Sequence, residues 1–386
     1  MNRRQFSRAI GSSVAAAGLA GLPGQPGAAA RYNGPNVVIV RFGGGVRRRE
    51  TIEPGTTYAP RLLNVLAPRG VLVPNMTIAQ LDGVDTSHAE GTVNVLTGRY
   101  RAYRHAGTDA VGDDLEPTEP TLFEYFRRAF DVPAHQTLLI NGEDRLQEEF
   151  LSYGVHKNHG VAYRSEVLSL YRYKLWKLRD RLDNARGTDE ELQAAAKELA
   201  GLEAKDHRGA AQSQAPEIDQ MWRRWQIFYG DDGLKNPRGD AALTELGLWA
   251  LQHLRPRLMM INYQDPDYVH WGNASHYTRA IAAIDRDLHR LVAAVDADPE
   301  YRDDTVFVVV PDCGRDANPL LSVPFQHHFN TRSAHEIWAL FFGPGIARGR
   351  VLDKPADQSS VAATVGAVMG LRTARAEGRA LEELIL

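Results

Sequence analysis

Apolar positions along the chain fall into short continuous runs separated by longer segments with a three-four spacing. Asn36-Val37-Val38-Ile39-Val40 is a β-branched run closed by Gly43-Gly44-Gly45, the pattern of a strand buried on both faces. Thr137 to Ile140, Leu258 to Ile261 and Thr305 to Val310 share that character, and a fifth run, Ile337 to Phe342, stops at Gly343-Pro344-Gly345. Ala241 to Leu254 is amphipathic and leads into the Leu258 run. Tyr277, Ile281, Ile284, Leu288, Leu291 and Val295 fall on one helix face. Strands alternating with helices predict an α/β fold, a three-layer αβα sandwich around a mostly parallel central sheet.

From about 160 to 235 the alternation breaks. Leu168, Tyr171, Leu175, Leu178 and Leu182 repeat at helical spacing, as do Leu192, Ala195, Leu199 and Leu202. Gly187 can end the first helix, and Thr188 with Glu191 forms a capping box for the second. The expected structure is a helical-hairpin insertion, serving as a lid, as a homodimer contact or only as packing.

The first thirty residues have a different character. Arg3-Arg4-Gln5-Phe6 precedes a mildly apolar Ala/Gly/Val stretch that ends in Ala28-Ala29-Ala30, the layout of a twin-arginine signal peptide over 1–30. Such a segment would engage the twin-arginine export machinery and deliver the α/β domain, 31–386, to the periplasm or beyond the cell. The net charge of −3 becomes −6 without it, because it carries three arginines and no acidic residue. That acidity argues against nucleic-acid binding. No later run of about 18 apolar residues could span a bilayer, and no Cys near position 30 could carry a lipid anchor. Cys313 is the only cysteine, which excludes an internal disulfide.

Four polar segments could carry chemistry. Asn262 to Asn273 follows a strand and contains Asp267 and His270, a carboxylate and an imidazole suited to a divalent ion such as zinc. Asp312-Cys313-Gly314 ends another strand; Asp312 and Cys313 could both ligate, although a lone Cys there can equally be a small buried hydrophobe. His327 and His328 precede the Ile337 run and add imidazoles. Finally, Thr86-Ser87-His88 opens a short helix ending at Gly98, where a hydroxyl can act as a helix cap or as a nucleophile.

In this order the four segments resemble the alkaline phosphatase and sulfatase superfamily. Asn262 through Asn273 is similar to its mutase-type metal segment, and Asp312-Cys313-Gly314 to its Asp-His-Gly. Leu96-Thr97-Gly98-Arg99-Tyr100 with His105-Ala106-Gly107 resembles the stretch behind its nucleophile. The close of the chain, Phe342-Gly343-Pro344-Gly345 followed by a helix over Ser359 to Gly370, is similar as well. There are four departures. Arg41 stands where the family's first strand ends in a metal-binding Asp, and Cys313 replaces a His. Two residues rather than three separate Asp267 from His270. The nucleophile's position, nine residues before Thr97, is His88, with Ser87 and Thr86 just before it.

The resemblance implies a metal-dependent hydrolase of phosphate or sulfate esters, with Ser87 or Thr86 as nucleophile. One ion rather than two would be held by Asp267, His270 and His327 or His328, with Asp312 and Cys313 at any second position. Asn94 could reach a substrate oxygen or lie at the core edge. Arg41 could neutralise an oxyanion in place of a cation, although Arg41, Arg47, Arg48 and Arg49 read more simply as surface residues. Two alternatives remain: a decayed scaffold serving in binding or assembly, and a phosphoryl or sulfuryl transferase.

Overall fold

The computed structural model describes residues 31–386 except 82, 107–113, 207–214, 271, 319, 321, 329 and 330. The proposed signal segment, 1–30, lies outside the described residues. The strands are β1 (Asn36–Arg41), β2 (Gly70–Thr77), β3 (Tyr103–His105), β4 (Leu115–Pro117), β5 (Thr137–Ile140) and β6 (Glu166–Leu168). After these come β7 (Leu258–Asn262), β8 (Thr305–Val310), β9 (Glu336–Phe342), β10 (Arg350–Val351) and β11 (Ala356–Asp357). The helices are α1 (Arg48–Thr51), α2 (His88–Thr97), α3 (Leu122–Phe130), α4 (Leu170–Asp183) and α5 (Asp189–Glu203). They continue with α6 (Pro216–Tyr229), α7 (Asp240–His253), α8 (Ala274–Ala297), α9 (Arg332–His335) and α10 (Ser360–Val368).

Nine strands form one sheet in the order β10-β2-β9-β8-β1-β7-β5-β6, with β11 paired to β2. β1 is central and parallel to both β7 and β8, with Arg41 level with Asn262 and Val310. Three carboxyl ends thus open on the same edge, where ligands gather in sheets of this kind. β9 runs antiparallel to β8 and to β2, so the sheet is mixed on that side.

Successive strand residues point to opposite faces, and the two faces bury separate cores. Val38, Val40, Met259, Ile261 and Phe307 pack with α7 and α8 on one side. Val37, Ile39, Met260, Val306 and Val308 pack with α2, α3 and α10 on the other. Each large apolar side chain buried in this way contributes about 1.5–3 kcal/mol. The three-layer αβα arrangement follows directly.

Among the described residues of about 160–235, α4 and α5 pack as a hairpin and α6 follows them. Thr188 and Glu191 form the capping box of α5, which buries only Ala195. Tyr173 of α4 and Met221, Trp222 and Trp225 of α6 join the core beside α7, so that part of the insertion is integral packing. No helix of the described residues is long and apolar enough to cross a membrane.

Candidate functional site

The loops after β1, β5, β7 and β8 and the start of α2 meet at the carboxyl edge of the sheet. Two glycines permit this. A Cβ on Gly91 of α2 would collide with the Asp312 carbonyl oxygen, so only glycine lets the helix approach the end of β8. Gly44 has φ +80° and passes against the backbone of Gln264 and Asp267.

Asp267 is the hub. Its Oδ1 lies 2.8 Å from His270 Nε2, 2.9 Å from His88 Nε2 and 3.3 Å from His327 Nε2. Arg315 Nη2 reaches Oδ1 at 2.8 Å, and Arg145 Nη2 reaches Oδ2 at 3.0 Å. Burial opposes ionisation of Asp267, but the His88 charge and the surrounding imidazoles overcome it and hold the carboxyl far below its usual range. Burial also drives the His327 pKa well down, helped by the charge on His88. His88 responds oppositely: burial lowers its pKa, yet Asp267 and Asp312 outweigh it and raise it well above the usual value.

The sequence-derived ligands divide in two. Asp267, His270 and His327 converge, and the exposed His328 stacks beside them, its ring 5.8 Å from that of His270 and 3.8 Å from that of His327. His327 Nε2 is buried and has no hydrogen-bond partner among the described residues, so its lone pair is open to a cation. A carboxylate oxygen with imidazole lone pairs is a donor set that fits a divalent ion.

Asp312 and Cys313 are close by but differently engaged. Asp312 is fully buried and bonded to His88 Nδ1 at 2.7 Å. Burial and the Asp312 charge push the Cys313 thiol up to about 11, so it is protonated near neutral pH. Its Sγ lies 3.9 Å from His88 Nδ1.

Arg41 is not on the surface. It is fully buried, donating to Glu148 Oε1 at 2.9 Å and to Thr92 Oγ1 at 2.8 Å, with Nε 3.7 Å from Asp312 Oδ2. These partners, with the Tyr263 carbonyl 3.4 Å from Nη2, offset the desolvation of the guanidinium, and Glu148 supplies the compensating charge from the segment after β5. Arg47 pairs with Glu50, and Arg48 donates to the carbonyls of Ile337 and Met76; Arg49 is exposed.

The two hydroxyls also part company. Thr86 Oγ1 donates to the His327 carbonyl, which occupies its proton. Ser87 Oγ accepts the Glu90 N–H at 3.2 Å as the cap of α2 and keeps its own proton. Ser87 and His328 line a cleft of about 360 Å³ with Asp85, Glu90, Tyr103 and His105. Asn94 donates to Gln358 Oε1 at 3.1 Å and braces α2 against the segment before α10, a structural place rather than a substrate contact.

Arg145, Glu148 and Arg315 carry no ligand-type signal in the sequence, and His88 is a site residue that the ligand pattern alone does not mark. Arg145 and Glu148 lie at the start of a short 3-10 helix, Leu146–Ser152, with no recognisable motif, and are joined to Asp267 and Arg41 over 122 and 107 residues. The position of His88, nine residues before Thr97, was the one signal available.

No family model matches the sequence, and no curated protein matches it. Solved structures do. Wild-type alkaline phosphatase PafA superposes with a TM-score of 0.58 at 11% identity, covering 92% of this chain and 100% of that one. The 2-O GAG sulfatase BT1596 gives 0.54 at 12% identity over 91% and 74% of the two chains. A protein in the alkaline phosphatase superfamily from Vibrio parahaemolyticus gives 0.51 at 13% identity over 94% and 75%. The fold is therefore that of alkaline phosphatases and sulfatases. The structural neighbours of this chain are members of that superfamily.

Proposed function

We propose that the chain is an exported, divalent-metal-dependent hydrolase of phosphate or sulfate esters that works with a single ion. The observation that carries this reading is the convergence of His270 and His327 Nε2 on Asp267 Oδ1 beside an open cleft. The donor set suits zinc. An ion held there would supply Lewis-acid stabilisation of the oxygens of the transferred group.

Ser87 is the better nucleophile of the two hydroxyls, because it faces the cleft and its proton is free. His328 lines the same cleft as Ser87, and its imidazole would take that proton. The Ser87 oxygen would bond to phosphorus or sulfur as the ester bond to the leaving oxygen breaks. The leaving oxygen collects a proton, and water then opens the covalent intermediate. The cleft's hydroxyl, carboxylate and imidazole lining suits a polar leaving group.

Assay of an aryl phosphate and an aryl sulfate, with and without chelator, tests the reading. Turnover that a chelator abolishes and a divalent ion restores is expected; no turnover of either ester by the ion-loaded chain would reject it. The rival reading, a binding protein on a decayed scaffold, is favoured by buried Arg41 at the end of β1 and by the engaged Thr86 hydroxyl. Export is tested by replacing Arg3 and Arg4 with lysine, which should retain the precursor in the cytoplasm.

A further inference from the structure

We infer that His88 is a fourth ligand of the cation site, closing with Asp267, His270 and His327 a single three-imidazole, one-carboxylate site that Asp312 orients from behind. The inference shares with the proposed hydrolase only the premise that a divalent ion binds at Asp267, and the two can fail separately.

The hydrogen bonds fix which nitrogen of each ring is available. The His327 Nδ1 atom lies 2.7 Å from the Thr86 carbonyl, which can only accept, so Nδ1 carries the hydrogen and Nε2 a lone pair. His88 Nδ1 faces the ionised Asp312 at 2.7 Å and keeps its hydrogen, so an ion would bind at Nε2 by displacing the proton that the charged ring carries there. Carboxylate or carbonyl behind a ring and a bare Nε2 in front is the arrangement of metal-binding histidines. Both Nε2 atoms are buried and have no hydrogen-bond partner of suitable direction among the described residues.

The ligand atoms are gathered slightly more tightly than a bound ion would hold them. Bonds of about 2.0–2.2 Å place neighbouring ligands of a tetrahedral zinc ion about 3.3–3.6 Å apart, so the rings would move outward by roughly half an ångström on binding. The three Nε2 atoms stand 2.8, 2.9 and 3.3 Å from Asp267 Oδ1. Ligand atoms of His88, Asp267 and His327 all lie within 4.8 Å of one another. Arg145 grips the other oxygen, Oδ2, and Arg315 shares Oδ1.

Asp312 is not available as a ligand. An ionised carboxylate offers about four acceptor positions. Here Oδ1 accepts from Gly45 N at 3.2 Å and Cys313 N at 2.8 Å, and Oδ2 from Gly44 N at 3.2 Å and the His88 ring. A second ion on this side is further opposed by the Arg41 guanidinium, 3.7 Å from Oδ2. One ion with no second neighbour is the outcome. Ser87, one residue before His88, would then act from the cleft beside the ion without coordinating it.

The test uses the full chain loaded with zinc or cobalt. X-ray absorption of the zinc form should count three imidazoles, and elemental analysis one ion per chain. His88→Gln should lower zinc affinity at least tenfold and reduce the imidazole count to two. Asp312→Asn should keep three imidazoles while weakening affinity about 10–100-fold, as loss of an orienting partner does. Two imidazoles in the unmodified protein, two ions per chain, no bound ion, or unchanged affinity in His88→Gln would each overturn the inference. A three-imidazole site in a chain that turns over no ester would leave the inference standing and remove the hydrolase. Ester turnover with two imidazoles would do the reverse.

Discussion

The guanidinium of Arg41 lies 3.7 Å from the carboxylate of Asp312, across the ends of the adjacent parallel strands β1 and β8. Both side chains are fully buried, and Glu148 completes the cluster. An internal cation therefore balances the charge at the sheet edge.

Removing that cation leaves Glu148 and Asp312 buried without their partner. Arg41→Met should destabilise the fold by about 3–5 kcal/mol, the usual consequence of breaking a buried ion pair from one side. Urea unfolding followed by far-UV circular dichroism measures it. A change below about 1 kcal/mol would mean that water or another group compensates.

Much of the sheet was legible in the sequence. β1, β5, β7 and β8 are uninterrupted apolar runs because both faces of each are covered. β2 was not: Pro74 and Asn75 interrupt it, and its register shifts between Val73 and Met76. The antiparallel course of β9 was equally hidden, since strand direction leaves no mark on composition. At the site, Asp267, His270 and His327 were readable as ligand types at strand ends. Arg41 looked like a surface residue because its burial depends on Glu148, far away in the chain. His88 looked like the first residue of a helix because its meaning comes from two carboxylates on other loops.

The two hydroxyls before His88 should respond differently to substitution. Ser87→Ala should abolish ester turnover and also cost about 1 kcal/mol through loss of the α2 cap. Thr86→Val should cost about 1 kcal/mol or more for the lost bond to the His327 carbonyl, with turnover reduced less. Steady-state kinetics beside thermal melts separate the two effects. Equal turnover in Ser87→Ala and the unmodified chain would remove Ser87 as nucleophile.

His159 gives a pH dependence away from the site. Burial, then Arg128 and His156, lowers its pKa from 6.5 to about 4. Below 6.5 the unfolded chain takes up a proton that the folded chain refuses. The contribution of His159 is therefore fully present above pH 6.5 and is lost as pH falls through about 4. His159→Gln should flatten the fall in melting temperature across that window; an unchanged slope would show that His159 does not titrate differently on folding.

Ester chemistry in this reading depends on an ion held at Asp267. Metal content and aryl phosphate or aryl sulfate turnover, measured together on the full chain and on Asp267→Asn, test it most directly. One divalent ion per chain and chelator-sensitive turnover are expected in the unmodified protein, with both lost in the variant while the far-UV spectrum is preserved. Turnover that survives in Asp267→Asn, or in a chain stripped of metal, would contradict it.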